Sequence, residues 1–464
     1  MPSDPRALLR SREYLRLLVV AAILGVPVSA AAYGFLALVN YLQQEIFTHL
    51  PHGLGFSGEP WWWPLPVLAL GGLLTGLTIR YLPGTAGARP AEGFKTHHAP
   101  TPADLPGVIF AALATLIFGA VLGPEAPLIA IGGGLVVVAL RAARRDVPDQ
   151  GVAVLASAGS FAAISTLLGS PILGAFLLME ASGLGGAMMG LVLVPGLLAA
   201  GIGSLIFVGL DAWTGLGTFS LAIPGLPHFG DPTVGEFGWA LAIGLAAAII
   251  GSGIRWLALR LQPYSIRRPP LAAVVAGLAV AGLAIAYAEG TGKSSSEVLF
   301  SGQSALAPLI THSTSYTVGA LVLLVACKCL AYGVSLSSFR GGPIFPSLFI
   351  GAAGGMALSH LPGLPLVAGV AMGIGAMSAV MLSLPLTTVL IATILLSSDG
   401  LTLMPLVIVA VVVSHVTAAR IEPTAPQAAK DGHDGNDGHN GDSGHDAATT
   451  GQPPAAGNGT TPRR

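Results

Sequence analysis

The sequence predicts an all-α protein that crosses the membrane many times and consists of two related halves of broken helices. Of its 464 residues, 53% are hydrophobic and only 9% are charged, whereas soluble proteins carry roughly 25% charged residues. A Gly-Pro pattern opens a short apolar segment once in each half of the chain. Several apolar segments are also shorter than the roughly 20 residues that cross a bilayer. Such segments are expected to be re-entrant or broken helices that end inside protein or beside water.

The first copy of the pattern is Gly123-Pro124-Glu125-Ala126-Pro127, followed by an apolar run. Proline is tolerated in the first turn of a helix because the N–H groups there have no partner, and glycine allows a sharp turn before it. We therefore expect a helix to begin near Glu125. Its unpaired amides and the positive end of its dipole favour negative charge. The Glu125 carboxylate would compete with a free anion for this position.

The second copy is the segment GGPIFP at 341–346, again followed by a small-residue apolar run. Each copy is followed by another proline-led apolar segment, at Pro171 and at Pro385. Short helices that begin at glycine and proline, in corresponding places of two halves, indicate an ion site near the middle of the bilayer. The alternative is that these residues only pack or kink ordinary transmembrane helices, in which both are common.

The chain is expected to divide into five parts. Residues 1–16 contain four arginines and are predicted to be a cytoplasmic N-terminal segment, by the positive-inside rule. Residues 17–254 are predicted to be the first membrane half, 255–270 a basic connection, and 271–420 the second membrane half. Residues 421–464 have almost no large apolar residue, which predicts a disordered cytoplasmic tail.

Fourteen apolar segments are predicted to be membrane helices or parts of them. The first is too long for the core of a signal peptide. The segments are 17–42, 63–82, 105–122, 128–141, 151–168, 171–182, 188–210, 235–252, 271–288, 316–336, 344–360, 365–381, 385–397 and 402–417.

Composition argues against several other classes. The formal net charge of −1 provides no basic face for a nucleic-acid partner. Cys327 and Cys329, two positions apart, would point to different faces of a helix, so we interpret them as packing residues. His433, His439 and His445 in the tail could bind a metal weakly, although a solvated tail is the simpler interpretation. We therefore predict no cofactor and no metal site.

Four stretches, in this order along the chain, resemble the CLC family of chloride channels and proton-coupled chloride antiporters. They are GPEAP with Glu125, SPILGAFLLME, the stretch from Lys328 to Gly333, and GGPIFP. The resemblance covers most of residues 80–410. It implies two inverted repeats, a homodimer in the lipid bilayer of the cell membrane, cytoplasmic termini and one chloride pathway in each subunit. It also implies that Glu125 is the gating glutamate, whose carboxylate blocks the pathway and swings out when protonated or displaced.

The sequence departs from the family signatures, which are usually written Gly-Lys/Arg-Glu-Gly-Pro and Gly-x-Phe-x-Pro. Pro124 and Ala126 replace the basic residue and the glycine of the first signature. In the second, Phe345 stands one place late and Pro343 removes an amide donor. The N–H groups of Ile344 and Phe345 are then the expected anion ligands.

A third anion-binding segment of the family, Gly-Ser-Gly-Ile-Pro, aligns with residues 86–90. Gly87 takes the serine position, and Thr85 is the nearby hydroxyl. The family tyrosine from the C-terminal helix has no equivalent, because no tyrosine follows Tyr332. The resemblance thus implies an anion-binding set around Glu125 that comprises Gly123, Pro124, Ala126, Thr85, Gly87, Gly342, Ile344 and Phe345.

The sequence favours passive, channel-like chloride transport gated by Glu125. Glu180 could belong to a proton path, but the position of the family's proton-carrying glutamate is Ala181. A chloride/proton antiporter is the alternative. A more distant alternative is a secondary transporter outside the CLC family, which would be expected to show several intramembrane charges. An intramembrane enzyme is not predicted, because the histidines lack an H-E-x-x-H context.

Overall fold

The computed structural model describes residues 11–94, 99–143, 147–183, 186–214, 223, 228–396 and 399–421. These residues form helices, and the single β pairing among them is an isolated antiparallel bridge between Gly123 and Gly342. Most of the predicted N-terminal segment, at 1–10, and the predicted tail from residue 422 onward lie outside the described residues. The tail histidines therefore lie outside them too.

The helices of the first half begin with a long one that includes the predicted segment 17–42. A π-helix, Glu45–His49, connects it to a single short turn. The helices are α1 Arg12–Gln44, α2 Leu50–Gly53, α3 Pro64–Tyr81, α4 Leu105–Ile117, α5 Glu125–Ala142, α6 Asp149–Leu168, α7 Pro171–Ser182 and α8 Gly186–Thr214.

The second half repeats this order, except for the place of its short extra helix. Its helices are α9 Val234–Arg267, α10 Pro269–Thr291, α11 Gln303–Thr311, α12 Val318–Ser338, α13 Ile344–Leu358, α14 Leu366–Leu382, α15 Pro385–Leu395 and α16 Gly400–Ile421. The short α11 follows the second helix of its half, whereas the short α2 of the first half follows the first. Every predicted apolar segment overlaps one helix of at least eleven residues, and the four-residue α2 lies outside the predicted segments. The sequence prediction missed α11, whose polar start and internal proline, Pro308, interrupt the apolar pattern.

Proline and glycine set many of the helix boundaries. Proline occupies one of the first two positions of α3, α4, α7, α10 and α15, where a missing N–H costs no hydrogen bond. Gly169 (φ 62°) caps the C-terminus of α6 in the left-handed region, and Gly183 (φ 61°) does so for α7. Most other residues are strained there, which explains these two endings.

The helices have the lengths expected of a broken-helix membrane protein. Among the described residues, nine helical segments are long and apolar enough to cross a membrane. Five apolar helices of 10–17 residues, namely α4, α7, α13, α14 and α15, are shorter. By length, these five helices confirm the expectation that several apolar segments are too short to span a bilayer on their own.

The packing of the helices confirms the duplication. Helix α5 packs on α6, and α6 on α8, just as α13 packs on α14, and α14 on α16. Likewise α1 contacts α6 and α8, as α9 contacts α14 and α16. Two corresponding pairs, α3 with α10 and α7 with α15, contact each other across the copies. By these contacts, α9 belongs with the second copy. The predicted boundaries between the halves, at 254/255 and 270/271, stay predictions.

Helices α13 and α14 approach each other unusually closely because glycine faces glycine between them. A Cβ atom at Gly351 would overlap the backbone of Gly373, and one at Gly355 would overlap the backbone of Gly369. All four glycines are buried. This packing determines where α13 lies, and therefore where its N-terminus points.

Candidate anion-binding site

The N-termini of α5 and α13, one from each copy of the repeat, meet in the protein interior. The helices begin at Glu125 and Ile344, after prolines with nearly equal dihedral angles: φ −81°, ψ 0° for Pro124 and φ −92°, ψ −5° for Pro343. Gly123 N donates to Gly342 O at 2.8 Å, and Gly342 N donates to Gly123 O at 2.6 Å. Equivalent residues of the two repeats therefore pair, and they hold the two helix starts together. The predicted helix start near Glu125 is confirmed.

The carboxylate of Glu125 lies between these helix starts. Glu125 is 0% exposed, and its Oε1 accepts a hydrogen bond from Phe345 N at 2.9 Å. The amides of Ile344 and of Glu125 itself also face the carboxylate, without the geometry of a full hydrogen bond. Oε2 is buried without a hydrogen-bond partner. The ion pairs among the described residues do not include Glu125.

Glycine at positions 123 and 342 leaves the space that the carboxylate fills. A Cβ atom at either position would overlap the Glu125 carboxylate. A buried carboxylate is costly unless dipoles or charges stabilise it, and two helix N-termini supply such dipoles. The carboxylate of Glu125 therefore occupies the space between the two helix N-termini, a position that favours negative charge.

The structure brings together most of the predicted site residues. Gly123, Pro124 and Ala126 flank Glu125 at the start of α5, while Gly342, Ile344 and Phe345 stand at the start of α13. Each proline lacks an N–H group, so the available backbone donors come from the helix residues that follow. Among the described residues, no group of three or more His, Cys, Asp or Glu side chains could hold a metal ion.

Thr85 and Gly87 lie in a separate loop of the structure. Thr85 (φ 49°) has the left-handed conformation that is uncommon for residues other than glycine. Its carbonyl oxygen accepts hydrogen bonds from Arg340 Nε at 3.4 Å and Arg340 Nη2 at 3.3 Å. Arg340 stands two residues before Gly342, so this loop connects to the start of α13 through an arginine side chain. The role of Thr85 and Gly87 in anion binding stays a prediction.

Glu180 lies at the end of α7 and contacts the start of α15. It accepts hydrogen bonds from Leu386 N at 3.0 Å, Thr387 N at 2.7 Å and Thr387 Oγ1 at 2.6 Å. A carboxylate at this position satisfies N–H groups that would otherwise lack partners at a helix N-terminus. These contacts give Glu180 a capping function, and its place in a proton path stays a prediction.

The sequence prediction missed Tyr332 as part of the site. This residue of α12 is 0% exposed, and its hydroxyl donates to Pro343 O at 2.9 Å. It also lies within electrostatic range of Glu125. A buried tyrosine hydroxyl normally finds a partner, so a lone tyrosine in an apolar helix was the available indication.

Replacing Tyr332 by phenylalanine should loosen the start of α13, because the hydrogen bond to Pro343 O is lost. The contact of Phe345 N with Glu125 should remain. The lost hydrogen bond should reduce the free energy of unfolding by about 0.5–1.5 kcal/mol. Thermal unfolding of the detergent-purified variant measures this effect. Tyr316→Phe is the comparison variant, because it removes a hydrogen bond to Glu297 outside the α13 start and should lower the melting temperature by a similar amount. An unchanged melting temperature for Tyr332→Phe alone would contradict the assigned contact.

The sequence matches the family model described as "Voltage gated chloride channel" over residues 70–419. It is 29% identical over 371 residues to YfeO of Salmonella schwarzengrund, named as an ion-transport protein, with 77% of this chain and 84% of the relative covered. YfeO of Escherichia coli is 28% identical over 364 residues, with 77% and 82% covered.

Solved structures with the same fold include a slow cyanobacterial Cl⁻/H⁺ antiporter and a CLC-type fluoride/proton antiporter. The first has a TM-score of 0.69 at 18% identity and covers 87% of this chain and 94% of its own. The second has a TM-score of 0.64 at 20% identity and covers 87% and 96%. At these identities the likeness establishes the fold alone. It confirms the predicted fold class.

Proposed function

Because this chain belongs to the CLC family of voltage-gated chloride channels, which transports anions across membranes, we propose that it conducts chloride-like anions along a pathway blocked by Glu125. The observation that supports this proposal is the carboxylate between two helix N-termini, where it accepts a hydrogen bond from Phe345 N at 2.9 Å. Backbone amides at such a position can replace part of the water that an anion loses. The carboxylate and a free anion would therefore exclude each other.

Transport then depends on displacing the carboxylate. Protonation removes its charge and weakens the charge-assisted hydrogen bond to Phe345, and a competing anion can take over the same donor. Glycine at 123 and 342 leaves room for either occupant. Selectivity would come from backbone N–H groups and from the width of the pathway, since the ion pairs among the described residues do not involve this site.

We propose a passive, channel-like movement of the anion in preference to proton exchange. A proton path needs ionisable groups in succession, and Ala181 stands where the family's proton carrier is expected. Glu180 is already engaged by three donors of α15. The alternative is a chloride/proton antiporter. The two solved structures with the same fold are named as a Cl⁻/H⁺ and a fluoride/proton antiporter, but at 18% and 20% identity they bear on the fold alone.

Chloride efflux from liposomes that contain the purified protein tests this proposal when the external pH is recorded at the same time. Passive transport predicts chloride efflux without proton uptake once the membrane potential is shunted. Proton uptake that follows chloride efflux under the shunt would establish the antiporter instead. Liposomes without protein provide the leak rate, and efflux no faster than that rate would contradict anion transport itself.

Replacing Glu180 by glutamine separates the two mechanisms at one residue. If Glu180 only caps α15, the variant should keep the chloride flux of the wild type and lose about 1 kcal/mol of stability, as caps typically do. If Glu180 carries protons, the variant should lose proton movement instead. Flux with recorded pH and thermal unfolding on the same preparation decide between these outcomes.

We further propose that the protein is a homodimer in the cell membrane, has cytoplasmic termini and does not catalyse a reaction. The resemblance to the family supports the dimer, and the arginines of the N-terminal segment support the orientation. Light scattering of the detergent-purified protein would measure its mass, and a monomeric mass would contradict the dimer.

A further inference from the structure

A cavity of about 220 Å³ opens beside the loop that contains Thr85. Its polar lining consists of Thr85, Arg89, Gln262, Ser265, Ser337 and Arg340. Two of these six are arginines, and carboxylates do not line it. The volume is enough for a small anion with several waters, since a water in the liquid takes about 30 Å³.

Arg340 is the unusual member of this lining because its side chain is buried without a carboxylate partner. The residue is 6% exposed, and the ion pairs of the described residues do not include it. Nε and Nη2 donate to Thr85 O, and Nη1 donates to Phe339 O at 3.1 Å. A guanidinium has five N–H groups, so two carbonyl oxygens leave part of its donor capacity available.

A buried cation without a directly paired carboxylate is costly. Both Arg89 and Glu92 lie within electrostatic range of Arg340, so Glu92 offsets only part of the positive charge there. Arg89 lines the same cavity, and its Nη1 pairs with Glu92 Oε1 at 3.3 Å. Gln262 Nε2 donates to that same oxygen at 3.0 Å. Glu92 is therefore already shared by two donors. The exposed Arg267 and Arg268 lie next in sequence to residues of the lining.

We propose that this cavity binds a small inorganic anion of the halide class between the guanidinium groups of Arg340 and Arg89, and delivers it to the pathway. Bound there, the anion would supply the direct ionic contact that Arg340 lacks. The position suits delivery, because Arg340 joins the Thr85 loop to the residues just before Gly342. Positive clefts raise the local concentration of an anionic substrate. The delivery step rests on the proposed anion transport.

The test combines binding and flux on the full chain. Wild-type protein in detergent is titrated with sodium chloride in gluconate buffer by calorimetry, and chloride flux is measured in liposomes over a range of chloride concentrations. Arg89→Gln and Arg340→Gln should each weaken chloride binding about tenfold or more, consistent with the effects of charge focusing. They should raise the half-saturating chloride concentration of flux by a similar factor while the maximal flux is kept.

Arg80→Gln is the matched control, because this exposed arginine stacks on Tyr81 at 5.4 Å and is outside the lining. Its binding and flux should equal those of the wild type. Arg340→Gln also removes contacts to two carbonyls and could unfold the protein. In that case Arg89→Gln alone tests the cavity site. The Arg89 side chain is 39% exposed, so this variant should fold.

The outcomes separate this inference from the proposed function. Chloride binding that is lost in Arg89→Gln, together with wild-type protein that moves no chloride, would support the cavity site and contradict transport. Wild-type chloride flux, combined with unchanged binding and half-saturation in folded Arg89→Gln, would overturn the cavity site and leave transport intact.

Discussion

Glu125→Gln should raise chloride flux and make it independent of pH. The carboxylate accepts a hydrogen bond from Phe345 N inside a site that is 0% exposed, and bonds to charged groups contribute about 1.5–3 kcal/mol. A neutral amide loses this charge-assisted contact. Because 1.4 kcal/mol corresponds to a factor of ten in an equilibrium constant, the chloride flux should rise about tenfold or more. Wild-type flux should increase as the pH falls, because protonation frees the side chain. Liposome flux between pH 4 and about 8 spans the range in which carboxylates titrate, also when burial shifts them.

The control for this experiment removes a buried carboxylate elsewhere in the protein. Glu236 is 5% exposed and closes the capping box at the start of α9, where its Oε2 accepts from Thr233 N at 2.8 Å. Glu236→Gln should reduce stability slightly and keep the pH dependence of flux. If Glu125→Gln retains the pH dependence of the wild type, the gating function assigned to Glu125 is wrong.

Gly351→Ala should destabilise the protein by about 1–3 kcal/mol, which is typical of overpacking. The added methyl group would overlap the backbone of Gly373, and a backbone cannot rotate away as a side chain can. Helices α13 and α14 would separate, and the N-terminus of α13 would shift away from Glu125. Thermal unfolding should show a lower melting temperature, and chloride flux should fall with it.

Gly354→Ala tests whether the loss of stability in Gly351→Ala comes from the close contact at that position or from any glycine-to-alanine change in α13. This glycine belongs to the same helix, but a Cβ atom there would meet no other atom within 4 Å. Alanine favours helices over glycine by about 1 kcal/mol, so the variant should be as stable as the wild type or more stable. Equal destabilisation by both substitutions would contradict the close packing of α13 on α14.

Local sequence patterns predicted the parts of the fold that depend on local chemistry. Gly-Pro pairs and leading prolines indicated where α5, α7, α13 and α15 begin, because proline fixes φ and lacks an N–H group. Apolar length did not separate the short helices from the spanning ones in every case. The predicted segment 105–122 contains the short helix α4, whereas the shorter segment 128–141 lies within α5, which is long enough to span. The duplication was also visible, since both copies use the same residue types at helix starts.

The contacts that build the site could not be predicted from local patterns. The pairing of Gly123 with Gly342 joins residues far apart in the sequence. The hydrogen bond from Tyr332 to Pro343 depends on how α12 is rotated about its axis. The contact of Arg340 with Thr85 depends on the left-handed backbone conformation of the loop that contains Thr85. Arg340 adjoins the second motif, yet its burial follows only from the packing of three separate segments.

Diffraction from crystals grown in bromide, comparing the wild type with Glu125→Gln, tests the central claim most directly. If the carboxylate occupies the position of the transported anion, the variant should show an anomalous bromide peak within hydrogen-bond distance of Phe345 N. The wild type should show the Glu125 side chain in that place and no bromide peak. A variant whose pocket stays free of bromide, or a wild type that binds bromide there with Glu125 unmoved, would contradict the account.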